Sequence, residues 1–319
     1  MAESYQVFGL RLETGFDFSA RLPCGGSGRE IRFDRAPDLG EALRCPHGPP
    51  VYSSSLRGPR GGPVLQVFEK DGAFLLSFPG VAVFSVGTDG ISYSPAPPER
   101  RDLIEVRFLG TVLAFFLERS GVPVLHASAV DVDGRAVAFL GNNRGGKTGL
   151  AASFLRAGFS LLGDDLAPLD AGSEPVMVRP GIPQMKAWPD LAHHLLGGIE
   201  GLPRVLETIE KRWIPVGPPA GFGSFCGEPR PLGSVYLPRR EEASAQVRIE
   251  ALRPRDAVVE LLRTSFLARL VDALGWQPRR LDLLSRLAAA TPVRRLVYPA
   301  GFEHLDRVRD AVLADLLNG

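Results

Sequence analysis

Lysine is almost missing from this chain. Of the 37 basic residues in its 319, only Lys70, Lys147, Lys186 and Lys211 are lysines, and the rest are arginines. Neither sign of charge dominates: 36 acidic residues leave a net charge of +1. With no basic block, nothing in the sequence encodes an electrostatic surface for nucleic acid, and none is expected as a partner. Cysteine is equally scarce. Cys24, Cys45 and Cys226 are odd in number, far apart and outside any C-x-x-C pair. That excludes a disulfide framework and a cysteine zinc site, and a reduced, cytoplasmic compartment is expected. The opening Met1-Ala2-Glu3-Ser4-Tyr5 has neither a basic nor an apolar signal region. No long hydrophobic run is present either. The longest, over residues 103–117, is broken by Glu105 and Arg107, so no membrane span is expected.

What is present reads as two domains. Residues 1–98 are rich in short apolar stretches separated by Gly and Asp turns, at residues 5–12, 64–69, 73–78 and 81–86. Residues 23–62 carry many Gly and Pro and are expected to form loops. A Pro-rich break at 94–98 sets the boundary. From residue 99 to 319 strands and helices mix. Strands are expected at 124–130, 135–140, 159–163, 231–237, 247–252 and 293–298. Helices are expected at 102–119, 150–157, 255–274, 281–290 and 305–317. The fold class is therefore α/β, with a smaller β-rich N-terminal domain.

One motif stands out. Gly141-Asn142-Asn143-Arg144-Gly145-Gly146-Lys147-Thr148, followed by Gly149, fits G-x-x-x-x-G-K-[ST]. Glycines let the backbone curl so that successive N–H groups face phosphate oxygens. A lysine at this position brings positive charge to the β/γ-phosphates, and the threonine hydroxyl suits Mg²⁺. The strand before it and the helix after it supply the order that such a loop requires. ATP and Mg²⁺ are the expected cofactors.

Asp164-Asp165 ends the apolar strand downstream. A carboxylate there is placed to hold Mg²⁺ with Thr148, and a second can face an acceptor hydroxyl. Asp164 is taken as the metal ligand, with the division of labour between the two left open. His126 lies in the strand before the hairpin that leads into the loop. Arg144, Arg179, Lys186, Lys211 and Arg212 are further cations able to offset charge in a transition state. Adjacent His193 and His194 face different sides of a helix and do not make a metal pair. Trp188, Trp213 and Trp276 read as packing residues.

The segments His126-Ala127-Ser128-Ala129-Val130, Asp133-Gly134, the loop 141–148 and the run 158–165 together resemble the C-terminal domain of the HPr kinase/phosphorylase family. Ala127 replaces the glycine usual there, and the long downstream motif of the true HPr kinase/phosphorylases is missing. The opening 5–10 and the segments 179–189 and 231–237 look like HPr-kinase-like proteins of peptide-modification clusters, including the lasso-peptide kinases. The resemblance implies a P-loop kinase core related to HPr kinase and phosphoenolpyruvate carboxykinase, using ATP and Mg²⁺. It implies nucleotide and metal roles for Lys147 and Thr148, a metal/base pair in Asp164 and Asp165, and an active-site role for His126. The acceptor it implies is a serine of a peptide or small protein, such as a ribosomally made precursor peptide. A small-molecule kinase and a nucleotide-dependent regulator remain alternatives, a homo-oligomer remains open, and the N-terminal domain is expected to help bind the acceptor.

Overall fold

The computed structural model describes residues 3–36, 48–59, 61–141, 144–170, 172–219, 221–242 and 246–318. Cys45, Asn142 and Asn143 lie outside these. Among the described residues no helix is long and apolar enough to cross a membrane. The chain is mixed α/β and divides into two compact units, Met1–Gly121 with Arg269–Gln277, and Val122–Ala268 with Pro278–Gly319.

The first unit is built on an eight-stranded sheet of order β1-β2-β3-β8-β7-β6-β5-β4. Its strands are β1 (Glu3–Val7), β2 (Leu10–Thr14), β3 (Arg29–Arg35), β4 (Tyr52–Ser53), β5 (Gln66–Lys70), β6 (Ala73–Phe78), β7 (Ala82–Val86) and β8 (Gly90–Pro95). The apolar stretch at 5–12 is two strands, because Phe8 (φ 52°) and Gly9 (φ 72°) turn the chain between them. The segment 23–62 is also not all loop. In β3, Ile31 and Phe33 alternate with exposed charged residues, the period of a half-buried strand.

Helices α1 (Arg101–Arg107) and α2 (Leu113–Arg119) run on through a π-helical turn, Phe108–Val112. They belong to this first unit and not to the second, as a boundary at residue 98 would have it. Phe108 stacks on Phe33 with ring centres 3.7 Å apart. The charge that interrupts the apolar run is accommodated inside: buried Glu105 accepts hydrogen bonds from the Ser19 N–H (2.9 Å), the Ser19 hydroxyl (2.7 Å) and the Ala20 N–H (2.8 Å). Trp276 packs on Phe74 and Phe115, as expected of a packing residue.

The second unit carries a ten-stranded sheet in which β18-β12-β10-β11-β19-β14-β13-β9 are neighbours and β21 joins β19 to β20. Its central strands are β9 (Val124–Leu125), β10 (Ala127–Val132), β11 (Arg135–Leu140), β12 (Ser160–Gly163), β13 (Ala167–Asp170) and β14 (Met177–Val178). A separate three-stranded sheet holds β15 (Gln184–Ala187), β16 (Arg204–Leu206) and β17 (Ile209–Pro215). The large sheet is completed by β18 (Ser224–Phe225), β19 (Arg230–Glu241), β20 (Arg248–Ala251) and β21 (Val293–Pro299).

Strands β10 and β11 form the expected hairpin, turned by Asp133 (φ 49°) and Gly134 (φ 82°). Two consecutive positive φ values match the twist of a two-residue hairpin. Strands β11, β19 and β21 are parallel. Both faces of β11 are buried: Val137 and Phe139 enter one apolar cluster, and Ala136, Ala138 and Leu140 enter the other. That double burial explains why the sequence there is a continuous apolar run rather than an alternation.

The helices of this unit are α3 (Lys147–Arg156), α4 (Pro189–Leu196), α5 (Pro254–Arg263), α6 (Ala268–Ala273), α7 (Gln277–Ala290) and α8 (Leu305–Asn318); α6 and α7 each run partly into the first unit. The single helix expected over 255–274 is two. Between α5 and α6, the Thr264 carbonyl accepts from the His126 N–H at 2.9 Å, and the Phe266 N–H donates to the Val124 carbonyl at 3.1 Å. Pairing with the β9 segment takes these backbone groups out of the helix.

Candidate functional site

Strand β11 ends at Leu140 and α3 begins at Lys147, so the loop 141–146 sits at a strand's carboxyl end and a helix's amino end. Arg144 (φ 63°) and Gly146 (φ 91°) both have left-handed backbone. Gly146 caps α3 with no side-chain hydrogen bond, and the amino end of the helix, where anions are favoured, follows the loop directly. A Cβ on Gly146 would stand 2.2 Å from the Tyr298 hydroxyl oxygen, so the loop is shaped for glycine twice over. Lys147 is 6% exposed, and its ammonium donates to the Gly141 carbonyl at 2.7 Å. Burial lowers its pKa, while Asp164 and Asp165 oppose the fall.

The acidic pair follows β12, and its two carboxylates face different partners. Asp164 accepts from the Ser128 hydroxyl on β10 (2.6 Å), the Lys186 N–H on β15 (2.9 Å) and the Thr148 hydroxyl on α3 (3.2 Å). Burial raises its pKa, helped by Asp165, and the hydrogen bonds from Ser128 and the Lys186 N–H work against that rise. Asp165 (φ 70°) has the left-handed backbone that Asp tolerates better than most residues. Its carboxylate pairs with the Lys186 ammonium at 2.8 Å. Burial alone would raise its pKa. Lys186, Lys211 and His126 outweigh that and hold it well below the usual carboxylate range.

These groups border a cleft of about 530 Å³, within the usual size of a small-molecule site. Arg144, Gly145, Gly146, Lys147, Thr148, Gly149 and Asp165 line it from the loop and acidic-pair side. Gly141 and Asp164 lie behind it, holding Lys147 and Thr148 respectively. Three of the four lysines meet here, since Lys186 and Lys211 also line the cleft. Arg179 does not join them; it pairs with Asp170 at 3.4 Å.

Three of the lining cations sit over tryptophan rings. Arg144 lies 4.4 Å over the Trp188 ring and Lys211 5.6 Å from it, while Lys186 lies 5.0 Å over Trp213. Trp188 and Trp213 therefore seat cations as well as pack. Arg240 donates to the Arg144 carbonyl. Ser128, Arg240 and Tyr298 could not be singled out as site residues by local pattern.

The residues present fit a magnesium triphosphate. Five cations (Arg144, Lys147, Lys186, Lys211 and Arg240) and the amide end of α3 suit phosphate oxygens. The Tyr298 hydroxyl, buried among the described residues without a hydrogen-bond partner, adds a neutral donor. Among the described residues no group of three or more metal-ligating side chains occurs. Mg²⁺ needs none, since it is commonly held by one or two carboxylates with phosphate oxygens and waters. Thr148 and Asp164 would hold it here.

His126 is half-buried beside Phe266, with ring centres 5.6 Å apart. Burial and then Lys147 push its pKa down to about 4, against attraction from Asp165, so the imidazole is neutral at pH 7. A folded pKa below the unfolded one stabilises the protein above about pH 6.5 and loses that contribution as pH falls toward 4. Urea unfolding at pH 7 and pH 4 is expected to show the wild type losing up to about 3 kcal/mol more than His126→Gln. Equal losses would mean that the histidine is not held neutral by the fold.

No protein-family profile and no curated protein matches the chain. Among solved structures, an HPr(Ser) kinase/phosphatase from Coxiella burnetii aligns over 61% of this chain and 99% of its own, at 13% identity and a TM-score of 0.31. A likeness so distant carries no weight for the chemistry, which has to be read from the side chains themselves.

Proposed function

We propose that this protein is an ATP- and Mg²⁺-dependent kinase that passes the γ-phosphoryl group to a hydroxyl, with a serine of a peptide or small protein as the acceptor class. One observation carries the reading. Thr148 of the glycine-rich loop is hydrogen-bonded to Asp164 at 3.2 Å, while the adjacent Asp165 opens into the same cleft as Lys147. Phosphoryl transfer uses such a combination of a metal-holding pair, a buried cation and a second carboxylate beside the cleft.

Bound magnesium triphosphate would supply the phosphoryl group and the metal charge. The chain's own residues do the rest. The α3 amides and Lys147 hold phosphate oxygens and offset the charge that grows on them. Ser128 and the Lys186 N–H fix the Asp164 carboxylate toward Thr148. Asp165 orients the acceptor hydroxyl and takes its proton, and His126 stays neutral beside it. Lys186 binds both carboxylates, one through its N–H and one through its ammonium, and so sets the spacing of the pair. The first unit, with its own aromatic core, is assigned to acceptor binding.

Incubation with ATP radiolabelled at the γ-phosphate, with peptide and low-mass acceptors offered together, tests the reading. Label on a peptide serine is the expected result. Label on a low-mass compound selects a small-molecule kinase. Nucleotide binding without transfer to any acceptor removes the kinase and leaves a regulator.

A further inference from the structure

Tyr298 sits on β21 as the register partner of Arg240 on β19, at the carboxyl end of two parallel strands. Open α/β sheets place their ligands beyond such ends. The ring is fully buried in the apolar cluster that also holds Leu191 and Leu305. Tyr298 is one of the residues that line the cleft, and its hydroxyl is buried with no hydrogen-bond partner among the described residues. A buried hydroxyl without a partner is costly, and native proteins rarely retain one without a use.

We propose that the Tyr298 hydroxyl is a phosphate ligand, donating a hydrogen bond to an oxygen at the α/β end of the phosphate chain held by the loop 141–148. The inference rests on the nucleotide-binding reading and adds a binding residue to it. The hydroxyl lies against Gly146, where a Cβ would come within 2.2 Å of it, so loop and tyrosine are fitted to each other. Loop amides of this kind cradle the α/β-phosphates, which places the hydroxyl at that end of the chain. Arg240, beside it, donates to the Arg144 carbonyl and steadies the loop, leaving the tyrosine as a neutral donor to the ligand. Burial, opposed by Arg240, pushes the phenol up to about 12, so the proton it would donate is present throughout the physiological range.

Calorimetric titration of ADP, ATP and adenosine into the wild type and Tyr298→Phe, with thermal unfolding of both nucleotide-free proteins, tests the assignment. The variant is expected to bind ADP and ATP about 10- to 100-fold more weakly, as loss of a hydrogen bond to a charged group predicts, with adenosine unchanged. Its nucleotide-free melting temperature should equal or exceed that of the wild type, because phenylalanine removes an unsatisfied hydroxyl. Unchanged ADP and ATP affinity overturns the proposal. A lower melting temperature with unchanged affinity also overturns it and assigns the hydroxyl to the fold. Failure of the wild type itself to bind ADP or ATP is a different result, and removes the nucleotide-binding reading beneath it.

Discussion

Lys147→Ala is expected to lower phosphoryl transfer about 10²- to 10³-fold and to weaken ATP binding, the range seen when one preorganised charge donor is removed from a water-excluded site. The size of the effect follows from where the ammonium is. It is buried, anchored on the Gly141 carbonyl at 2.7 Å, and close enough to Asp164 and Asp165 for both to oppose the fall in its pKa. Among the described loop residues no other side chain starts at that depth. Arg144, the loop's other cation, is exposed and turned toward Trp188. Transfer to the acceptor and ATP titration, measured on the same preparations, check the prediction. Full activity in the variant would show that the loop does not serve phosphate.

Asp165→Asn should cost about 10²- to 10⁴-fold in turnover, the usual contribution of a positioned general base, while ATP affinity changes little. Asparagine is the appropriate replacement because it tolerates the left-handed backbone at φ 70° as aspartate does, so the substitution removes charge without forcing the chain to move. It also leaves the Lys186 ammonium without its partner at 2.8 Å, and that cation then remains in the cleft uncompensated by Asp165. Nucleotide affinity should therefore hold or tighten slightly as turnover falls. Loss of nucleotide binding with turnover per bound nucleotide preserved would reverse the roles given to the two carboxylates.

The elements of the second unit that the sequence announces are those with a local signal. The β10–β11 hairpin is written in Asp133-Gly134, the loop in its glycines and Lys147, and the acidic pair in the strand that ends at Gly163. What escapes such reading depends on long-range pairing. Arg240 and Tyr298 meet because β19 and β21 run parallel in a register that a periodic pattern does not encode. Ser128 looks like one more small residue in a buried strand until Asp164 is placed 2.6 Å from it. The helical period over 255–274 matches the two helices Pro254–Arg263 and Ala268–Ala273 but not the break between them. The break falls at Thr264, whose carbonyl pairs with the His126 N–H instead of with a helical N–H. Lys186 and Lys211 were visible as cations, but only the fold of the small sheet β15-β17-β16 brings them to the cleft.

The central claim is that Thr148 and Asp164 form a metal-holding pair for a triphosphate seated on the loop. Calorimetric titration of ATP with and without Mg²⁺, into the wild type and Asp164→Asn, tests it most directly. The account predicts that Mg²⁺ tightens ATP binding to the wild type and does so much less, or not at all, in the variant. Equal tightening by Mg²⁺ in both proteins would contradict it.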